Sequence, residues 1–352
     1  MKSTTSRLLT IGYVALSAAA AAGTRDSFGI LPHAVSPADT GPERRYTLAV
    51  IGNTPYGPAK FADFPRLVAR INADSSVNVV VHLGDIKIGT NTPCTDTYND
   101  SIRVLFDSFA APLVYTPGDN EWADCHTDLK HNGLYTPTER LQAVRAKFFP
   151  VPGQTLGRRT MAVRTQASDT AHKAYVENVM WVESRVVFAT LNVPGSNDDL
   201  EPWGYPLGPN AKDYPSQLDE RAARGQANMA WVGEAFATAT AQDAAGVVLM
   251  FQADMWDQTA EVHGYTGLVR QVATLAAAFK KPVLLLEGDS HRYRVDQPFL
   301  PDSGFRKMFR AIPPAPNVTR VVVEGANGRT EYLRVTVDPS GPTLFTWERV
   351  PL

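Results

Sequence analysis

The chain has 352 residues, 44% of them hydrophobic and 20% charged, with 34 basic side chains against 36 acidic ones and a formal net charge of −2. This is the composition of a folded globular protein, which excludes disordered and fibrous classes. It carries no nucleic-acid-binding surface of basic residues, and no run of like charge marks a membrane-surface segment or a charged tail.

At the N-terminus, Lys2 and Arg7 precede an apolar stretch, Leu8 to Ala22, that ends in alanines. That pattern predicts a signal peptide over 1–22, cleaved near Ala22, and hence a periplasmic or secreted protein. The stretch is short for a membrane anchor and rich in Ala and Ser. No other segment reaches about 18 apolar residues, so no membrane span is expected after cleavage. Residues 23–44 hold Gly, Pro, Ser and Asp without periodicity and read as a flexible lead-in.

Regular structure begins at Tyr46. Apolar runs predict strands over Tyr46 to Ile51, Val77 to Leu83 and Leu113 to Thr116, with helices over Phe61 to Ala73 and Ile102 to Phe109 between them. Strand–helix alternation is the signature of βαβ units and a mainly parallel sheet. Residues 126–174 read as a polar, loop-rich excursion with one helix, Pro137 to Phe149. Strands follow over Val186 to Val193, Val247 to Phe251 and Val283 to Leu286, with helices over Arg221 to Thr240 and Leu268 to Phe279. The end of the chain changes character. Val318 to Glu324, Glu331 to Val337 and Thr343 to Val350 read as antiparallel strands joined by hairpins, with turns at Asn327-Gly328 and Pro339-Ser340-Gly341. No repeat or internal linker appears, so residues 45–352 form one α/β domain of mixed sheets flanked by helices.

The two cysteines are Cys94 and Cys125. An even count in an exported chain predicts one disulfide, the alternative being two free buried thiols. The bridge would contribute roughly 3–4 kcal/mol in the chain-entropy model. It would also staple the loops that carry Asp85 and Asp119.

In an open α/β sheet, ligands bind beyond the carboxyl ends of the strands. The segments there are Gly52-Asn53-Thr54-Pro55-Tyr56, Gly84-Asp85, Gly118-Asp119-Asn120-Glu121-Trp122, Gln252-Ala253-Asp254 and Gly288-Asp289-Ser290-His291. Three of the five are Gly-Asp. Three carboxylates in one crevice would repel one another, and a cation is the usual solution.

The order of these loops resembles the calcineurin-like metallophosphoesterases. That family carries Asp-x-His, Gly-Asp-x-x-Asp/Gly, Gly-Asn-His-Asp/Glu, a lone His and Gly-His-x-His in sequence. Here Gly84-Asp85-Ile86-Lys87, Gly118-Asp119-Asn120-Glu121 and Gly288-Asp289-Ser290-His291 stand for the second, third and fifth motifs, over roughly residues 46–300. The resemblance implies a sandwich of mixed sheets and two metal ions that hold a phosphate and activate a bridging hydroxide. Asp85 matches the bridging Asp. The chain departs from the family at Asn53, Pro55, Asp119, Asn120, Gln252 and Asp289, where oxygen donors mostly replace imidazoles. Such a site suits Mg²⁺, Mn²⁺ or Ca²⁺ better than zinc, as one or two ions.

The resemblance thus makes Asn53, Asp85, Asp119, Asp289 and His291 the metal ligands. Asn120 and His291 are the residues assigned to catalysis, Asn120 hydrogen-bonding a phosphate oxygen instead of donating a proton. For the three aspartates the alternative role is turn stabilisation. Glu121 reads as a loop brace, Trp122 as core, and His82 as a core histidine or an outer support of the site. His126 faces either the crevice or solvent. Gln252, Asp254, Asn192 and Asn197 are weak candidates. Two functions follow: an exported phosphoesterase acting on a small phosphomonoester or phosphodiester, or a catalytically impaired member of the fold that binds a metal, phosphate or partner.

Overall fold

The computed structural model describes residues 44–89, 92–127, 135–203, 214–326 and 328–352. The predicted signal peptide, the lead-in up to residue 43 and Asn327 of the predicted turn lie outside them. Two mixed sheets form the centre of the protein. The first has the strand order β12-β11-β1-β2-β3 and the second β4-β5-β6-β7-β8-β10-β9. The strands are β1 (Tyr46–Ile51), β2 (Val79–His82), β3 (Leu113–Tyr115), β4 (Arg164–Thr165), β5 (Val179–Glu183) and β6 (Val186–Thr190). They continue as β7 (Gly246–Met250), β8 (Val283–Glu287), β9 (Arg294–Asp296), β10 (Val318–Val322), β11 (Glu331–Val337) and β12 (Phe345–Pro351).

Side-chain alternation explains the layering. Leu48, Val50, Val79, Val81 and Val335 of the first sheet share one buried cluster with Phe188, Val248, Met250, Leu284, Leu286 and Val321 of the second. Their neighbours in sequence point the other way. Ala49, Ile51, Val80 and Tyr115 pack with Phe64, Leu67, Ile102 and Phe106, on helices Gly57–Asn72 and Asp96–Phe106. On the far side, Val187, Ala189, Leu249 and Leu285 pack with Trp231, Phe236, Val269 and Val272, on helices Tyr214–Ala241 and Thr266–Phe279. Each central strand is covered on both faces, which is why runs such as Tyr46–Ile51 are buried throughout and mostly apolar instead of alternating.

The mainly parallel sheet is corrected to two mixed ones. β1, β2 and β3 run parallel, as do β6, β7, β8 and β10, while β11, β12, β4, β5 and β9 add antiparallel edges. The predicted C-terminal hairpins are corrected as well. Only β11 and β12 form one. β10 inserts between β8 and β9 of the other sheet, because Val318, Arg320, Val321 and Val322 are all buried and need cover on both faces. The excursion over 126–174 also holds the short edge strand β4, beyond its predicted helix, which spans Pro137–Phe148. Among the described residues no helix is long and apolar enough to cross a membrane. Cys94 and Cys125 are disulfide-bonded, with Cα atoms 5.9 Å apart.

Candidate functional site

β2, β3 and β8 end on the same side of the sandwich, and each is followed by Gly-Asp. Carboxylate oxygens of Asp85, Asp119 and Asp289 all lie within 4.8 Å of one another. Asp85 and Asp119 are buried and Asp289 is half-buried. Two glycines make this convergence possible. Gly84 has φ +81°, and a Cβ there would strike the backbone of Gly118, so only glycine lets the two loops touch. A Cβ on Gly195 would lie 2.5 Å from Asp119 Oδ2 and 2.8 Å from Asp289 Oδ2, so a larger residue would fill the space beside the carboxylates.

The electrostatics are one-sided. Among the described residues, no lysine, arginine or histidine forms an ion pair with any of the three aspartates. Burial pushes Asp85 well above the usual carboxylate range, helped by the charges of Glu121 and Asp289. Burial does the same to Asp119, with Asp124 and Asp85 adding to it. Asp289 is raised to about 7 by burial and by Asp254. Three clustered acids, two of them buried, without a cation among the described residues must hold protons or bind a cation from outside. An all-oxygen donor set at this spacing fits a hard divalent ion.

The supporting contacts orient the aspartates. Gln252 Nε2 donates to Asp119 Oδ1 at 3.2 Å, and Gln252 Oε1 accepts from Gly195 N at 2.5 Å. Ser196 Oγ lies 3.0 Å from Asp119 Oδ2 and 2.9 Å from Asp124 Oδ1. A hydroxyl has one proton, so it can donate to only one of them at a time. Glu121 braces two loops at once, since its Oε1 accepts from Gly118 N at 2.6 Å, Tyr115 Oη at 2.7 Å and Asp85 N at 3.2 Å. The disulfide joins the same pair of loops.

His82 is a satisfied core residue. Its Nε2 lies 2.6 Å from Thr54 O, and its Nδ1 accepts from Gly84 N at 3.2 Å, which assigns the proton to Nε2. Burial lowers it to about 4. It therefore links the first loop to the second and offers no free nitrogen. Trp122 is fully buried core, and His126 is buried, not a solvated loop residue. Asn192 donates to Glu177 Oε1 at 2.9 Å, and Asn197 to the His263 ring at 3.2 Å.

Asn53 is fully buried with φ 50°. Its Oδ1 accepts from Asp289 N at 3.2 Å, and its Nδ2 has no partner among the described residues. Asn120 Nδ2 donates to Tyr56 Oη at 3.2 Å. His291 stands outside the carboxylate group. Its ring meets Tyr56 edge-on, with centroids 4.7 Å apart, and burial lowers its pKa, so it is neutral and able to accept a proton or a cation.

Behind the site the backbone is strained. Ser196, Asn197, Asp198 and Asp199 all have φ between 50 and 61°. Left-handed residues cost about 1–2 kcal/mol each, least for Asn and Asp. Arg224 holds the turn. It is fully buried and donates to Asp198 Oδ1 at 2.5 Å and to Asp198 O at 3.2 Å, while Trp203 Nε1 donates to Asp199 Oδ1 at 2.8 Å. No sequence motif marks Tyr56, Asp124, Gly195 or Ser196. For the turn, the run Asn197-Asp198-Asp199 was the available signal, since these residue types tolerate positive φ.

No protein-family model matches the chain, and no curated protein matches it. Among solved structures, the chain is similar to one described as GAP50, the anchor in the inner membrane complex of Plasmodium. The two share 9% identity, with a TM-score of 0.42, over 88% of this chain and 89% of that one.

Proposed function

We propose that this protein is a metal-dependent phosphoric ester hydrolase of the calcineurin-like metallophosphoesterase type, with the corresponding sandwich of mixed sheets. The observation that carries the proposal is the meeting of Asp85, Asp119 and Asp289 from three strand ends within 4.8 Å, without a basic partner among the described residues. Those three would hold a hard divalent ion, Mg²⁺, Mn²⁺ or Ca²⁺ before Zn²⁺. Asn53 and His291 stand at the margin of the group as neutral donors. A bound ion would supply Lewis-acid stabilisation of phosphoryl oxygens. The chain's own residues would orient the ester, with Asn120 offering amide hydrogens and Glu121, Gln252 and the disulfide fixing the loops. An exported location is supported by the disulfide, which oxidising compartments favour.

A second reading, a phosphate- or metal-binding protein without turnover, is favoured by Asn120, an amide committed to Tyr56 that cannot deliver a proton. Thermal melts with Mn²⁺, Mg²⁺ or Ca²⁺ and assays of phosphomonoester and phosphodiester hydrolysis separate the two. A cation at a hundred times its dissociation constant should stabilise the protein by about 2.7 kcal/mol. Turnover that disappears in Asp85→Asn supports the enzyme. Cation binding without turnover leaves the second reading, and no cation binding sinks the enzyme and the metal-binding form of the second reading.

A further inference from the structure

We propose that Tyr56 is an oxyanion-binding residue, its hydroxyl donating a hydrogen bond to an oxygen of a phosphate held at the carboxylate group. The inference rests on the cation-dependent reading of that site and adds a donor that the family resemblance does not supply. Two observations carry it. First, Tyr56 closes the loop after β1 at the point where three loops meet, being bonded to Asn120 of the third segment and packed edge-on against His291 of the fifth, 4.7 Å between ring centroids.

Second, its oxygen accepts from Asn120 Nδ2 at 3.2 Å, and no acceptor among the described residues takes its own proton. Asn120 thus fixes the phenol while leaving its hydrogen unspent. A half-buried hydroxyl in this position is a donor waiting for an acceptor. An ordinary phenol is neutral at pH 7 and can donate. A dication among three carboxylates leaves the site at −1 overall, so a phosphate there needs neutral donors more than further anions. Tyr56 and Asn120, bonded to each other, form such a set.

The experiment uses the full chain and its Tyr56→Phe variant, with Mn²⁺ and inorganic phosphate as calorimetric probes and melting temperature as the fold control. A hydrogen bond to a charged oxygen predicts about a tenfold loss of phosphate affinity in the Mn²⁺-loaded variant. Mn²⁺ affinity and melting temperature should stay as in the parent. Equal phosphate affinity in both proteins overturns the role of Tyr56 and leaves the metal reading standing. A parallel loss of Mn²⁺ affinity also overturns it, since Tyr56 would then support the cation and not the oxyanion. Absence of Mn²⁺ binding in the parent chain overturns both.

Discussion

Two groups of buried carboxylates lie only two residues apart at the end of β8, and they are treated in opposite ways. Glu287, Asp254 and Asp296 surround Arg320, which is fully buried. Its guanidinium reaches Asp254 Oδ1 at 2.6 Å, Asp296 Oδ2 at 2.5 Å and Glu287 Oε2 at 3.6 Å, over the rings of Trp256 and Phe305. Asp85, Asp119 and Asp289 have no such cation among the described residues. Acids that serve the architecture come with their own counter-charge, even where burial still pushes one of them, Glu287, upward. The crevice has none among the described residues, so its acids either hold protons or take a cation from solution. The groups touch through the Asp254 backbone, whose hydrogen bond steadies the ionised form of Asp289.

The largest test of this contrast removes the internal cation. Arg320→Leu leaves Glu287 buried without a cation and Asp254 with only Arg294, 3.6 Å away, and should cost about 3–5 kcal/mol in urea unfolding. A loss under about 1 kcal/mol would remove the distinction between the two groups.

Acid gives a test of nearly the same size. Folded His82 titrates near 4, against 6.5 for a free histidine. The unfolded chain therefore takes up the proton first. The contribution of His82 is complete above pH 6.5 and is lost as pH falls toward 4, for roughly 3 kcal/mol. Asp289, raised to about 7, works with the opposite sign, giving stability below about pH 4 that is lost as pH rises through 7. The difference between the wild type and His82→Gln isolates the first effect. Parallel stability–pH curves for the two proteins would refute it.

The smallest change is a gain. Asp119→Asn removes one of three like charges, keeps an acceptor for Gln252 and turns its amide nitrogen toward Ser196 Oγ, a hydroxyl that can accept it while donating to Asp124. Without added metal at pH 8 it should stabilise the protein by about 1 kcal/mol, one pKa unit's worth of repulsion. The stabilisation by divalent ions should vanish in the same variant. A metal-free variant less stable than its parent would mean that the crevice is balanced internally, like the Arg320 group.

Much of this contrast is legible in the sequence. β1 and β11 occupy the predicted spans, because their apolar runs end at clear turn signals. The three Gly-Asp pairs locate the crevice, since parallel strands bring their carboxyl ends to one side. Other features are hidden for physical reasons. β4 and β9 have two and three residues, too few for any periodicity to register. The placement of β10 depends on which sheet has an uncovered strand, and no local pattern encodes that. Tyr56 and Ser196 act through partners 64 and 77 positions away. No local pattern marks Arg320 as buried, and only the packing around Trp256 shows it so.

Asp85 and Asp119 follow strands of one sheet and Asp289 follows a strand of the other. Their oxygens therefore gauge the alignment of two layers joined by a shared apolar interface. An ion seated among them would act as a rivet between the layers. Sliding of one sheet by a single ångström would pull the oxygens out of reach, so packing at Val50 or Leu286, deep in that interface, is part of what sets the grip on the ion.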